Sequence, residues 1–200
     1  MQKVLVLCVV AGIALMAGCA STPKVTRTDA SQQIDLSGSW NDTDSQLVSK
    51  KMIGDILAHP WIAEFTTQKQ TKPRVIVGTV INKSHEHITT ETFTKDLERE
   101  LINSGKVRFV ASKDQRDEIR EERMGQTEHA RMDTAKNMGQ EYGADYMVKG
   151  QINTIFDGTG ATELKYYQIE LELIDIESNE KVWIGQEKIK KIIQTPKRKW

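Results

Sequence analysis

Apolar positions along the chain first fall into a helical rhythm at Val48, Met52, Ile53 and Ile56, behind Thr43-Asp44-Ser45-Gln46, which reads as a capping box with Gln46 three residues after the threonine. The spacing predicts a helix over about 44–57, ended or kinked at His59-Pro60-Trp61, because a residue before proline disfavours the helical region. Trp61, Ile62 and Phe65 are then expected to cover the edge of the core. The unbroken run Val75 to Ile81 predicts a strand buried on both faces and central in a sheet. Phe93, Leu97 and Leu101 recur every four residues and predict a helix over about 90–103, stopped at Asn103-Ser104-Gly105. A second strand is expected at Val107 to Ala111. Ser112-Lys113-Asp114-Gln115 is a second capping box, and the helix it opens holds nine charged residues between 113 and 123, so it should be mostly solvated. Met132, Ala135, Met138 and Tyr142 suggest a fourth helix closed by Gly143.

From Tyr146 the period switches to two. Tyr146, Val148, Gly150, Ile152, Thr154 and Phe156 form one run; Tyr167, Ile169, Leu171 and Leu173 form another; Val182-Trp183-Ile184 is expected to be the last strand. Turns fall at Asp157 to Gly160 and at Glu177 to Glu180. Helices followed by an antiparallel meander indicate an α/β chain layered in the α+β manner, with a mixed sheet and one globular domain over 43–194.

The first residues follow another logic. Lys3 precedes Val4 to Leu15, a stretch without charge, and Leu15-Met16-Ala17-Gly18-Cys19 follows, so residues 1–18 read as a signal peptide. The run is shorter than the ~20 residues of a spanning helix. It resembles the lipobox of bacterial lipoproteins, with Met16 where that family most often has leucine. The resemblance implies a diacylglyceryl thioether on Cys19 and cleavage just before it. Ala20 is not the aspartate that retains such lipoproteins in the inner membrane, which favours the outer membrane facing the periplasm. Residues 19–42 are then the lipidated start and a polar tether, reaching about 80 Å at full stretch and about 25–30 Å as a coil.

Composition sharpens this. Both cysteines, Cys8 and Cys19, lie near the start, which leaves none for an internal disulfide or cysteine metal site. The 28 basic and 28 acidic residues balance, against a whole-molecule hold on nucleic acid. The balance is uneven along the chain, because Lys188, Lys190, Lys191, Lys197, Arg198 and Lys199 occur with no acid beyond residue 187. This basic end, with 195–200 as a tail, is either a solvated strand end or a contact for something anionic: phospholipid headgroups, acidic peptide stems of the cell wall, or an acidic protein face. His85-Glu86-His87 has the i, i+2 spacing of a metal pair but no third ligand in register, so neither metal nor cofactor is expected. No nucleophile, general-base pair or phosphate-binding loop emerges.

Several stretches together resemble the LpoB family of lipoprotein activators of penicillin-binding proteins, in its short-linker branch. They are Gly38 to Ser45 with Pro60-Trp61; Val77 to Ser84 leading to Glu86-His87-Ile88; Phe93 to Gly105; Gly143-Ala144-Asp145-Tyr146 with Gly150; and Asn179 to Gly185. The resemblance implies a domain similar to the N-terminal domain of TolB. It also implies a non-enzymatic outer-membrane regulator whose partner is a class A penicillin-binding protein; the chain itself is expected to be a monomer. The alternative is a structural lipoprotein of an envelope assembly or export complex. The tether departs from the best-known members, whose linkers are long and proline-rich.

Overall fold

The computed structural model describes residues 23–134, 136 and 141–195. Residues 23–32 belong to a unit of their own, with a turn in which the Asp29 carboxylate accepts from the Ser31 N–H and hydroxyl. From Gln33 onward the order is α1 (Asp42–Ala58), α2 (Trp61–Lys69), β1 (Arg74–Asn82), α3 (Thr90–Asn103), β2 (Arg108–Phe109), α4 (Lys113–His129), β3 (Tyr146–Thr159), β4 (Thr162–Asp175) and β5 (Lys181–Gln194). The strands make one mixed sheet in the order β2-β1-β3-β4-β5. β1 runs parallel to β2 and β3, whereas β3, β4 and β5 form an antiparallel meander.

The α+β architecture expected from the pattern is present, and α3 has the predicted bounds. α1 starts earlier than predicted, because Asn41 and not Thr43 is the cap: its side chain accepts from the Asp44 N–H while the Asp44 carboxylate accepts from the Asn41 N–H. His59 ends α1 in an extended conformation and Pro60 opens α2, a helix the pattern did not separate. The Trp61 indole N–H caps the Ile56 carbonyl of α1 at 2.7 Å, which ties the two helices at their corner.

One face of the sheet carries the core. Val75, Val77 and Val80 of β1, Tyr146, Val148 and Ile152 of β3, and Tyr167, Ile169, Leu171 and Leu173 of β4 meet Val48, Met52, Ile53 and Ile56 of α1 and Phe93, Leu97 and Leu101 of α3. Ile76 is only half-buried and Ile81 is exposed, so β1 is not buried on both faces as expected. It is not central either, since β3 holds the middle place. A bulge between Val77 and Val80 keeps the inward set facing the helices.

The meander is longer than the sequence suggested. β3 and β4 pair without interruption from Tyr146↔Asp175 to Thr159↔Thr162, and Gly160, at φ +61°, opens the two-residue turn. β5 continues ten residues past Ile184 to Gln194. β2 shrinks to two residues. Of the suggested fourth helix, Met132 and Tyr142 lie exposed in a turn and in irregular backbone, while Ala135 and Met138 lie outside the described residues. α4 has no buried residue, as its charge predicts.

Candidate docking surface

Of the six basic residues singled out by the sequence, the three within the described residues part company. Strand alternation sends Lys188 and Lys190 to the outer face of β5 and Lys191 to the inner face. Lys191 is only 13% exposed, and its ammonium donates to Asp44 Oδ2 at 2.6 Å and Asp35 Oδ1 at 3.1 Å. It also donates to the Ser39 carbonyl at 3.1 Å. It is a structural cation, not part of an open basic patch. Lys197, Arg198 and Lys199 lie outside the described residues, as does Cys19.

Lys191 belongs to a strap that sequence reasoning missed. Residues 35–41, counted with the tether by composition, lie against the ends of β4 and β5. The Trp40 ring sits edge-on to Phe93 at 5.9 Å and to Tyr167 at 5.7 Å. Its backbone N–H donates to Glu86 Oε2, which also accepts from the Tyr167 hydroxyl at 2.8 Å. Glu86 Oε1 takes the Lys165 ammonium at 2.6 Å, and the same ammonium reaches Ser39 Oγ at 3.2 Å. Burial alone pushes the Glu86 carboxyl up, but the hydrogen bonds from Lys165, Tyr167 and Trp40 outweigh it and hold it below the usual carboxylate range. Burial first, then the Glu86 carboxylate, pushes the Tyr167 phenol up.

The loop 83–89 exists to aim Glu86. The Asn82 amide donates to the Glu86 carbonyl, Ser84 donates to Asn82 Oδ1, and the Glu86 N–H donates to Ser84 Oγ. Ile88 closes the loop as a buried core residue. His85 and His87 stay exposed, the former against Thr154. Among the described residues, no three His, Cys, Asp or Glu side chains gather as metal ligands. The signal that could have found the strap was the charged residues at inward positions of β5, Glu187 and Lys191. By sequence Lys191 counts with the basic end, yet Lys51 pairs with Glu187 at 2.7 Å and Asp44 with Lys191.

The outer face of the meander has two parts. Toward the α2 end, Glu170 gathers the amides of Gln151, Gln168 and Gln186, which hold its carboxyl below the usual range. Toward the β3–β4 turn, the register aligns Ile155, Tyr166 and Lys190, then Asp157, Leu164 and Ile192. Ile155 is 62% and Ile192 65% exposed, so this end presents apolar surface flanked by Lys188 and Lys190. Exposed apolar and cationic groups side by side at a sheet end are the kind of surface that partners contact. Among the described residues, no helix is long and apolar enough to cross a membrane.

The profile of a family described as "Peptidoglycan-synthase activator LpoB" matches residues 44–189. Among solved structures, the LpoB C-terminal domains from Salmonella enterica and Escherichia coli are each 14% identical over 73% of this chain and 98% of theirs, with TM-score 0.45. The NMR structure of E. coli LpoB is 15% identical over 90% of this chain and 85% of that one, with TM-score 0.42. No curated protein matches the chain.

Proposed function

The chain belongs to the LpoB family of peptidoglycan-synthase activators, and from that premise we propose that it is a lipid-anchored regulator that binds and stimulates a class A penicillin-binding protein. The observation that carries this reading is the family match itself, which runs from α1 into β5 and so takes in both helices and the sheet that build the core. The protein supplies contact and no chemistry of its own. Binding the active conformation of the synthase more tightly than the inactive one raises its population, which suffices for activation.

In this proposal Cys19 carries the lipid in the outer membrane, and the domain works in the periplasm. Lys188 and Lys190, with Lys197, Arg198 and Lys199 of the tail, face an acidic surface of the synthase, and the apolar end of the meander seats beside them. Lys191 is left out, since Asp44 and Asp35 already hold it. The strap limits reach: with the chain fixed at Asp35, the span from Cys19 is at most about 55 Å, at roughly 3.3–3.6 Å per residue. The synthase must therefore meet this domain close to the outer membrane.

Two experiments test the reading. Immobilised full-length chain should capture a solubilised class A synthase from the host's membranes, and failure with every such synthase would refute the partner. Cys19→Ser should abolish fatty-acid labelling and release the protein from membranes; persistent labelling would refute the anchor.

A further inference from the structure

At the end of the sheet away from the strap lies a cavity of about 340 Å³, between the last turns of α2 and the β4–β5 turn. Phe65, Lys69, Asp145, Tyr146, Asp175 and Glu177 line it. We propose that this cavity binds a primary ammonium group carried on an alkyl stem, with the Tyr146 hydroxyl as its acceptor, the carboxylates as its counter-charge and Phe65 against the stem.

Tyr146 is only 7% exposed, and its hydroxyl has no hydrogen-bond partner among the described residues. Buried polar groups normally have one. Nor is the oxygen sealed away, because no fully inaccessible side-chain polar atom among the described residues lacks a partner. The oxygen is therefore accessible to solvent, on a residue that lines the cavity beside Asp145 and Asp175. The ring cannot swing aside, since Trp61 and Phe65 pack edge-on against it at 4.9 and 5.7 Å.

The surroundings choose the sign of the ligand. Asp145 spends one oxygen on the Arg74 N–H, and Asp175 spends one on the N–H groups of Glu177 and Ser178. Each has a second oxygen with no hydrogen bond among the described residues. Glu177 adds a third carboxylate, against the single ammonium of Lys69. The C-terminal end of α2 contributes its partial negative charge from the same side. Burial raises the Tyr146 phenol, and Asp175, Asp145 and Glu64 push it further the same way, so it stays protonated beside these acids. The carboxylates are not gathered tightly enough to be metal ligands. A cation with an apolar stem fits both the acids and the aromatic wall.

The test is an NMR titration of isotope-labelled full-length chain with N-acetyl-lysine methylamide and with the norleucine compound, which lacks the ammonium. The lysine compound should give saturable shifts at Asp145, Tyr146 and Ile176, and the norleucine compound none. Tyr146→Phe keeps the ring and should weaken binding about fivefold with the melting temperature unchanged or raised. Glu177→Gln, at an exposed position, should weaken it about twofold. Equal shifts with norleucine, absence of saturable shifts at these amides, or a Tyr146→Phe chain that melts well below the parent would each overturn the proposal. The last result would mean that the hydroxyl already has an internal partner.

Discussion

Glu86 receives a lysine, a tyrosine and a backbone N–H at once, the first two through their side chains and the third from the strap. Glu86→Gln keeps the shape and loses the charge-assisted bonds, at a cost of about 1–3 kcal/mol. The pH dependence follows from the sign of the shift. The native carboxyl titrates below its unfolded value, so its stabilisation is complete above the unfolded value and is lost as pH falls through the lowered native one. Acid denaturation curves should therefore show a shallower loss for Glu86→Gln than for the parent between about pH 4.5 and the native transition. The lysines of β5 divide in the same residue-level way. Lys191→Met leaves Asp44, 7% exposed, with no cation and should cost about 3 kcal/mol. Lys188→Ala and Lys190→Ala should change stability by less than about 0.5 kcal/mol, measured by urea denaturation.

At the scale of elements, the meander depends on close approach at its centre. A Cβ on Gly150 would strike the Glu170 carbonyl oxygen and the Leu171 side chain, whereas one on Gly54, inside α1, would meet open space. Gly150→Ala should therefore destabilise by about 2–3 kcal/mol, and Gly54→Ala should stabilise by about 0.5–1 kcal/mol; thermal melts check both. The elements also show what a linear pattern can carry. α3 was legible to the residue because Phe93, Leu97 and Leu101 pack toward one core, and a glycine at φ +64° follows its end. α2 was hidden because Pro60, which stops one helix, also starts another. β5 was cut short because its inward positions beyond Trp183 include Glu187 and Lys191, whose partners, Lys51 and Asp44, come from α1, far away in sequence. β1 was placed too deep because an apolar run is equally compatible with two covered faces and with one. Glu86 was visible only as part of a family motif, since its partners Trp40, Lys165 and Tyr167 come from distant stretches that no local spacing connects.

For the whole molecule, the neutral charge resolves into an acidic body and a basic end, and the structure then removes Lys191 from that end. The strap likewise changes the mechanics of the anchor. It fixes the start of the folded body at the same end of the sheet as the exposed Ile155 and Ile192, so in the proposed function the anchored chain enters beside the surface assigned to the synthase. Stimulation should then be sensitive to that end and indifferent to α4. The most direct test is the rate of glycan-strand polymerisation by purified class A synthase from the same cell, with and without the purified chain. The account predicts faster polymerisation with the parent chain, and less stimulation with the Lys188→Ala, Lys190→Ala double variant at unchanged stability. An unchanged rate with every class A synthase of the host would contradict it.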